Sequence, residues 1–143
     1  MRLVDVNVLV YAFREDAPGH VEYRTWLHGL ISSDEAYAVS DHLLAGFLRI
    51  VTHPRIFHPP APLELALAFT TAFRDAPNAV PVFPRSRHWE IFCRLLGEAG
   101  ARGNLVPDAW LAALAIEQGC EFITTDRDFA RFPTLRWRHP LAG

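Results

Sequence analysis

Lysine is absent from this 143-residue chain, so all 14 of its basic residues are arginine. Its cationic chemistry is therefore confined to planar guanidinium groups, which suit bidentate contacts to phosphate or carboxylate. Net positive charge is also lacking: 16 acidic residues leave a formal charge of −2. A nucleic-acid partner is not announced by overall charge, and any phosphate contact must come from local arginines and a bound cation. Cysteine is scarce. Cys93 and Cys120 have neither CxxC nor metal-ligand spacing, and read as two small buried hydrophobes. No apolar run approaches the ~18 residues of a membrane span. The N-terminus, Met1-Arg2-Leu3-Val4-Asp5-Val6-Asn7, sets an acid and an amide inside its apolar stretch, unlike a signal peptide. A cytoplasmic protein is expected, with no membrane partner.

What is present is a hydrophobic half of the sequence arranged in alternating elements. The length predicts one domain over 1–143 with room for a real core. Residues 3–6 read as a buried strand, and Asn7 is placed to cap a helix over 8–14. A helix over 20–31 and a strand over 36–39 follow. Ser40 caps a third helix to about residue 52, with Leu43, Leu44, Phe47, Leu48 and Val51 as its apolar stripe. Residues 55–62 form a proline-rich loop. A helix over 63–73, a strand over 79–83 and a helix over 87–99 come next. Pro107 and Asp108 open a helix that Gly119 closes, and residues 120–124 form a strand. A short edge strand is predicted at 136–139. Strands recurring between helices predict an α/β fold with a parallel sheet covered on both faces.

The acids then stand out. Asp5 interrupts an apolar strand, and an unpaired buried carboxylate costs several kcal/mol. It needs a partner or a metal; capping or an arginine partner is the plain alternative. Asp108 at a helix start is unremarkable alone, because the helix dipole favours acids there. Asp126 and Asp128 alone would be an ordinary turn. Together, three segments bring carboxylate to one sheet edge, where open α/β sheets place their sites. Clustered carboxylates repel unless a cation joins them, and oxygen-only ligands suit Mg²⁺ or Mn²⁺.

Four segments carry a family resemblance: Asp5-Val6-Asn7; Phe47-Leu48-Arg49 through Phe57; Asn104-Leu-Val-Pro-Asp108-Ala-Trp; and Thr124-Thr125-Asp126-Arg127-Asp128-Phe129. In order and spacing they resemble PIN-domain ribonucleases, most of all the VapC-type toxins of toxin–antitoxin pairs. The resemblance implies a PIN-like α/β/α sandwich with a central parallel sheet. It implies Mg²⁺- or Mn²⁺-dependent endonucleolytic cleavage of cellular RNA, a cognate antitoxin and a homodimer. Asp5, Asp108 and Asp126 match three of the family's acids, as catalytic residues and metal ligands. Asp128 matches an auxiliary one. The family's remaining acid, a glutamate before Phe-Leu-Arg, is here Gly46. Such a glycine could admit a neighbouring backbone. Asp41 could supply a carboxylate from the same helix, although it lies about 140° around and about 7.5 Å along the axis. Asn7 and Thr125 could orient the acids by hydrogen bonds. Arg14, Arg49, Arg102 and Arg127 are the candidate RNA contacts.

Two alternatives belong beside the nuclease. One is a scaffold that binds RNA or antitoxin but cuts poorly for want of the glutamate. The other is a dehalogenase-like protein using Asp5 as nucleophile, which the absence of lysine and the presence of Asn7 disfavour. Trp26, Trp89, Phe69 and Phe73 are expected in the core. Any left exposed on the second or fourth helix would mark an antitoxin or dimer surface.

Overall fold

The structure, a computed structural model, describes residues 1–143. Five short parallel strands form the centre: β1 (Arg2–Val4), β2 (Tyr37–Val39), β3 (Ala79–Pro81), β4 (Glu121–Ile123) and β5 (Trp137–Arg138). Six α-helices connect them: α1 (Val6–Phe13), α2 (His20–Ser32), α3 (Asp41–Val51), α4 (Leu63–Arg74), α5 (His88–Ala99) and α6 (Leu105–Glu117). A short 3₁₀ turn spans Arg127–Arg131.

β1, β2 and β4 bury residues on both faces, as parallel strands do when helices cover them, whereas the outer strands β3 and β5 are more exposed. Leu3, Ala38 and Phe122 face a core built with α5 and α6. Val4, Tyr37 and Val39 face a second core built with α1 to α4. The three layers are thus an α/β/α sandwich, as the sequence predicts. α6 lies close to the sheet because Ala109, Ala112, Ala113 and Ala115 are fully buried and small.

The strand order is β3-β2-β1-β4-β5. The chain winds outward from β1 to β3, then returns to place β4 on the other side of β1. That reversal opens a crevice between the carboxyl ends of β1 and β4, the place where open α/β sheets bind ligands.

Several boundaries differ from the sequence reading. α1 starts at Val6, and its N-cap is Asp5 rather than Asn7. The Asp5 carboxylate accepts the Val6 N–H at 2.7 Å, which ends β1 early. α6 starts at Leu105, a turn before Ala109. Pro107 falls within that first turn, where a missing N–H costs nothing. Trp89 is not in the core: it is 68% exposed on α5. Phe73 is buried, while Trp26 and Phe69 are half-buried.

Candidate metal centre at the carboxyl edge of the sheet

β1 and β4 run in register, with Val4 opposite Ile123. The next residue on each strand is therefore a facing pair, Asp5 and Thr124. Asp5 is 4% exposed and Thr124 fully buried. The Thr124 hydroxyl donates to Asp5 Oδ2 at 2.7 Å. Thr124 Oγ1 in turn accepts the Asp126 N–H at 3.0 Å and meets the Asn7 side-chain amide at 3.5 Å. Thr124 thus ties together three residues that the sequence puts in two distant segments. Thr125, its neighbour, was the residue singled out from sequence; the hydroxyl that holds Asp5 belongs to Thr124.

Because the Thr124 proton is committed to Asp5, Asn7 must present its NH₂ to Thr124 and its carbonyl elsewhere. Asn7 Oδ1 is buried and has no partner within the chain. An orphaned oxygen beside a buried carboxylate is an acceptor with no proton or cation to meet.

Asp108 stands in the first turn of α6 and is half-buried. Asp126 caps the 3₁₀ turn, accepting the Asp128 N–H at 2.9 Å. Carboxylate oxygens of Asp108, Asp126 and Asp128 lie within 4.8 Å of one another. Ionised together, a pair such as Asp108 and Asp126 repels by about 3 kcal/mol at the dielectric of a protein surface. The acids feel this crowding. Burial pushes the Asp5 carboxyl up to about 6; the hydrogen bonds from Thr124 and Val6 oppose the rise, and Asp126 adds to it. Burial also pushes Asp108 up to about 6, helped by the charges of Asp126, Asp5 and Asp128. All donors here are oxygen, as Mg²⁺ and Mn²⁺ require. The residues fit a divalent cation.

Asp41 is placed differently. It is exposed and holds Arg74 of α4 at 2.8 Å, an ion pair that lowers its pKa. Gly46 sits beside the site: a Cβ built there meets nothing nearer than Val6 Cγ2, at 4.0 Å. The glycine therefore admits no close backbone, contrary to the sequence reading; a Cβ there would make only an ordinary contact with the side chain of Val6, the residue after Asp5. Asp41→Asn is expected to leave RNA cleavage within about twofold of wild type. Gly46→Glu is expected to fold normally, gaining roughly 0.5–1 kcal/mol of helix propensity. It should also tighten Mg²⁺ binding about tenfold, as one more carboxylate contact would. Calorimetric titration checks this, and unchanged affinity would show that the centre lacks no ligand at that corner.

The arginines also divide. Arg14 is occupied by Asp16 at 2.6 Å, by the Pro59 carbonyl at 3.1 Å and by the Phe57 ring at 4.2 Å. Arg49, on the last turn of α3, is about 12 Å down that helix from its start at the carboxyl edge. Arg127 opens the 3₁₀ turn between Asp126 and Asp128, beside the acids, while Arg102 lies in the loop that leads into α6; both are exposed and outside every ion pair of the chain.

Comparison with known proteins agrees with this geometry. The family described as PIN domain matches residues 2–135. Ribonuclease VapC43 of Mycobacterium tuberculosis is 46% identical over 143 residues, spanning 100% of this chain and 97% of that protein. Ribonuclease VapC25 of the same organism is 42% identical over 140 residues, spanning 98% and 99%. The crystal structure of VapBC2 from Rickettsia felis, bound to a DNA fragment from their promoter, shares the fold with a TM-score of 0.67. It is 20% identical and covers 95% of this chain and 96% of its own. The chain belongs to the PIN-domain family, among the VapC proteins.

Proposed function

We propose that this protein is a divalent-metal-dependent endoribonuclease, the toxin of a toxin–antitoxin pair, cleaving phosphodiester bonds in cellular RNA. The observation that carries the reading is the gathering of the Asp108, Asp126 and Asp128 carboxylates at the sheet's switch point, with buried Asp5 close enough for its charge to act on Asp108. The names of the ribonuclease relatives support the same activity.

Asp5, Asp108 and Asp126 would hold Mg²⁺ or Mn²⁺, with Asp128 at the open side. When bound, the cation supplies positive charge against the phosphate and makes water a better nucleophile. The protein's own groups set the conditions. Thr124 fixes the Asp5 carboxylate through its hydroxyl and fixes the Asp126 backbone through its lone pair. Asn7, held to Thr124 through its NH₂, keeps a buried carbonyl oxygen without a partner. Arg102 and Arg127 are the exposed guanidiniums positioned to take the RNA backbone.

Protonation of Asp5 and Asp108 removes the charges that attract the cation. Both carboxyls titrate near 6, above their ordinary range. Cleavage is therefore expected to rise steeply between about pH 5 and 7 and to level off above it. An initial-rate profile at fixed Mg²⁺ checks this. A flat profile across that window would show that these acids do not carry the activity.

A weaker-cutting variant of the same reading rests on Gly46. A Cβ at position 46 is accommodated without a clash, but the glycine supplies no carboxylate there. Mg²⁺ commonly takes one or two protein carboxylates and keeps several waters, which is why activity is the favoured reading.

The antitoxin and a second copy of the chain are the proposed protein partners. Support comes from α4, where Leu63, Leu65 and Leu67 are exposed, and from Val21 on α2. No helix is long and apolar enough to cross a membrane.

A further inference from the structure

A second cleft lies beside the acids, between the 3₁₀ turn and the chain after β5. It has a volume of about 700 Å³ and is lined by Arg127, Trp137, Arg138, His139 and Leu141, among others. That size falls in the roughly 300–1,000 Å³ range of small-ligand sites. Its position is fixed by Arg127, whose chain neighbours are Asp126 and Asp128. Its chemistry is aromatic and cationic. Trp137 is half-buried with its back against the core, leaving the rest of the indole toward the cleft. The His139 ring is held by two contacts: Nδ1 accepts the Leu141 N–H at 3.1 Å and Nε2 meets the Tyr23 hydroxyl at 3.4 Å. With both nitrogens engaged, what His139 presents is a ring face. Arg138 is oriented by Glu121, at 2.9 Å, while Arg127 has no carboxylate partner.

We infer that this cleft is a nucleotide subsite, seating one base of single-stranded RNA against Trp137 and His139 while Arg127 takes its phosphate. The inference rests on the nuclease reading for its substrate class and goes beyond it in naming where the strand leaves the acids. Aromatic rings that stack bases, next to guanidiniums that track the backbone, are what unpaired RNA needs. The arrangement also answers the adverse net charge: the acids repel the strand, and the cationic cleft one residue away retains it.

The test measures binding and cutting separately. Fluorescein-labelled oligouridylate is titrated by anisotropy in EDTA, where nothing is cut. Trp137→Ala should weaken binding by about 5- to 150-fold, the range that loss of one stacked base produces, and Arg127→Ala should weaken it at low salt and reduce its salt dependence, as loss of a phosphate contact does. Trp137→Phe should retain most affinity, and Trp89→Ala, on the far helix α5, should change nothing. In wild type, an oligomer carrying 5-iodouridine should photocrosslink to the segment 137–142, a readout that does not depend on any variant folding. Unchanged affinity in folded Trp137→Ala, crosslinks confined to other segments, or no oligouridylate binding by wild type would each overturn the subsite. Cleavage assayed in Mg²⁺ is judged apart: if wild type binds through the cleft but does not cut, the subsite stands and the nuclease reading falls.

Discussion

Asp5→Asn is expected to abolish RNA cleavage while making the metal-free protein more stable at neutral pH. The two effects have one cause. In the fold Asp5 is buried and its pKa is raised from 3.8 to about 6. A carboxyl raised in this way stabilises the folded state fully below about pH 4, where it is protonated in both states. That contribution is lost as pH rises through about 6, because the folded protein must then hold a buried charge that the unfolded chain keeps in water. At pH 7.5 the cost is up to about 3 kcal/mol. Asparagine removes the charge and its carbonyl can still accept the Val6 N–H, which outweighs the cost of an NH₂ that makes the Thr124 hydroxyl turn its proton elsewhere. The variant should melt several degrees higher than wild type in EDTA at pH 7.5, and the gap should close toward pH 4. Mg²⁺ should stabilise wild type and not the variant. Cleavage should fall by about a hundredfold to several thousandfold, as expected for removing a group that holds the charge opposite the phosphate. Asp108→Asn should lose activity to the same degree. An Asp5→Asn protein that is less stable and still cuts would make Asp5 a helix cap and nothing more.

Thr124→Val should be the most damaging change to any residue that is not itself an acid of the centre. Valine keeps the shape and the β-branching that suit a strand end. It removes the donor to Asp5 Oδ2 and the acceptor of the Asp126 N–H. A buried carboxylate that loses its donor costs about 1–3 kcal/mol, and the orientation of two acids is lost with it. Mg²⁺ affinity and cleavage should drop about 10- to 100-fold. Since the Thr124 bond holds the Asp5 pKa down, the rising limb of the pH profile should move to higher pH. Thr124→Ser should restore both. Thr125→Val should behave as wild type, and a larger loss there than at Thr124 would contradict the hydrogen-bond assignment.

The contrast between these two threonines shows what the sequence could and could not disclose. Asp5 was legible because an acid inside Leu3-Val4-Asp5-Val6 is physically anomalous. The layered fold is legible because the inner strands β1, β2 and β4 carry apolar residues on both faces. Thr124 required a further fact, that β1 and β4 are parallel neighbours with Val4 opposite Ile123. Register across a sheet is a tertiary property, and no local pattern carries it. Asp41 is similar: its partner Arg74 is 33 residues away on another helix, and only the packing of α3 against α4 brings them together. Trp89 was assigned to the core on hydrophobicity alone, yet large apolar residues are often left at surfaces. The α6 boundary was missed because Asp108 looked like a helix start, whereas Asn104 already turns the chain and Pro107 tolerates the first turn. The vacancy at Gly46 was visible as a missing glutamate. That no neighbouring backbone closes on it came only with the structure.

The central claim is that the Asp5–Asp108–Asp126 cluster acts through a divalent cation to cut RNA. Its most direct test incubates purified protein, free of any antitoxin, with total RNA in Mg²⁺ or Mn²⁺, and in excess EDTA, beside Asp108→Asn. Discrete fragments should form with wild type in the presence of metal, cease with EDTA, return when metal is restored, and be absent with Asp108→Asn. Fragments that persist in EDTA, or that Asp108→Asn produces at the wild-type rate, would contradict it.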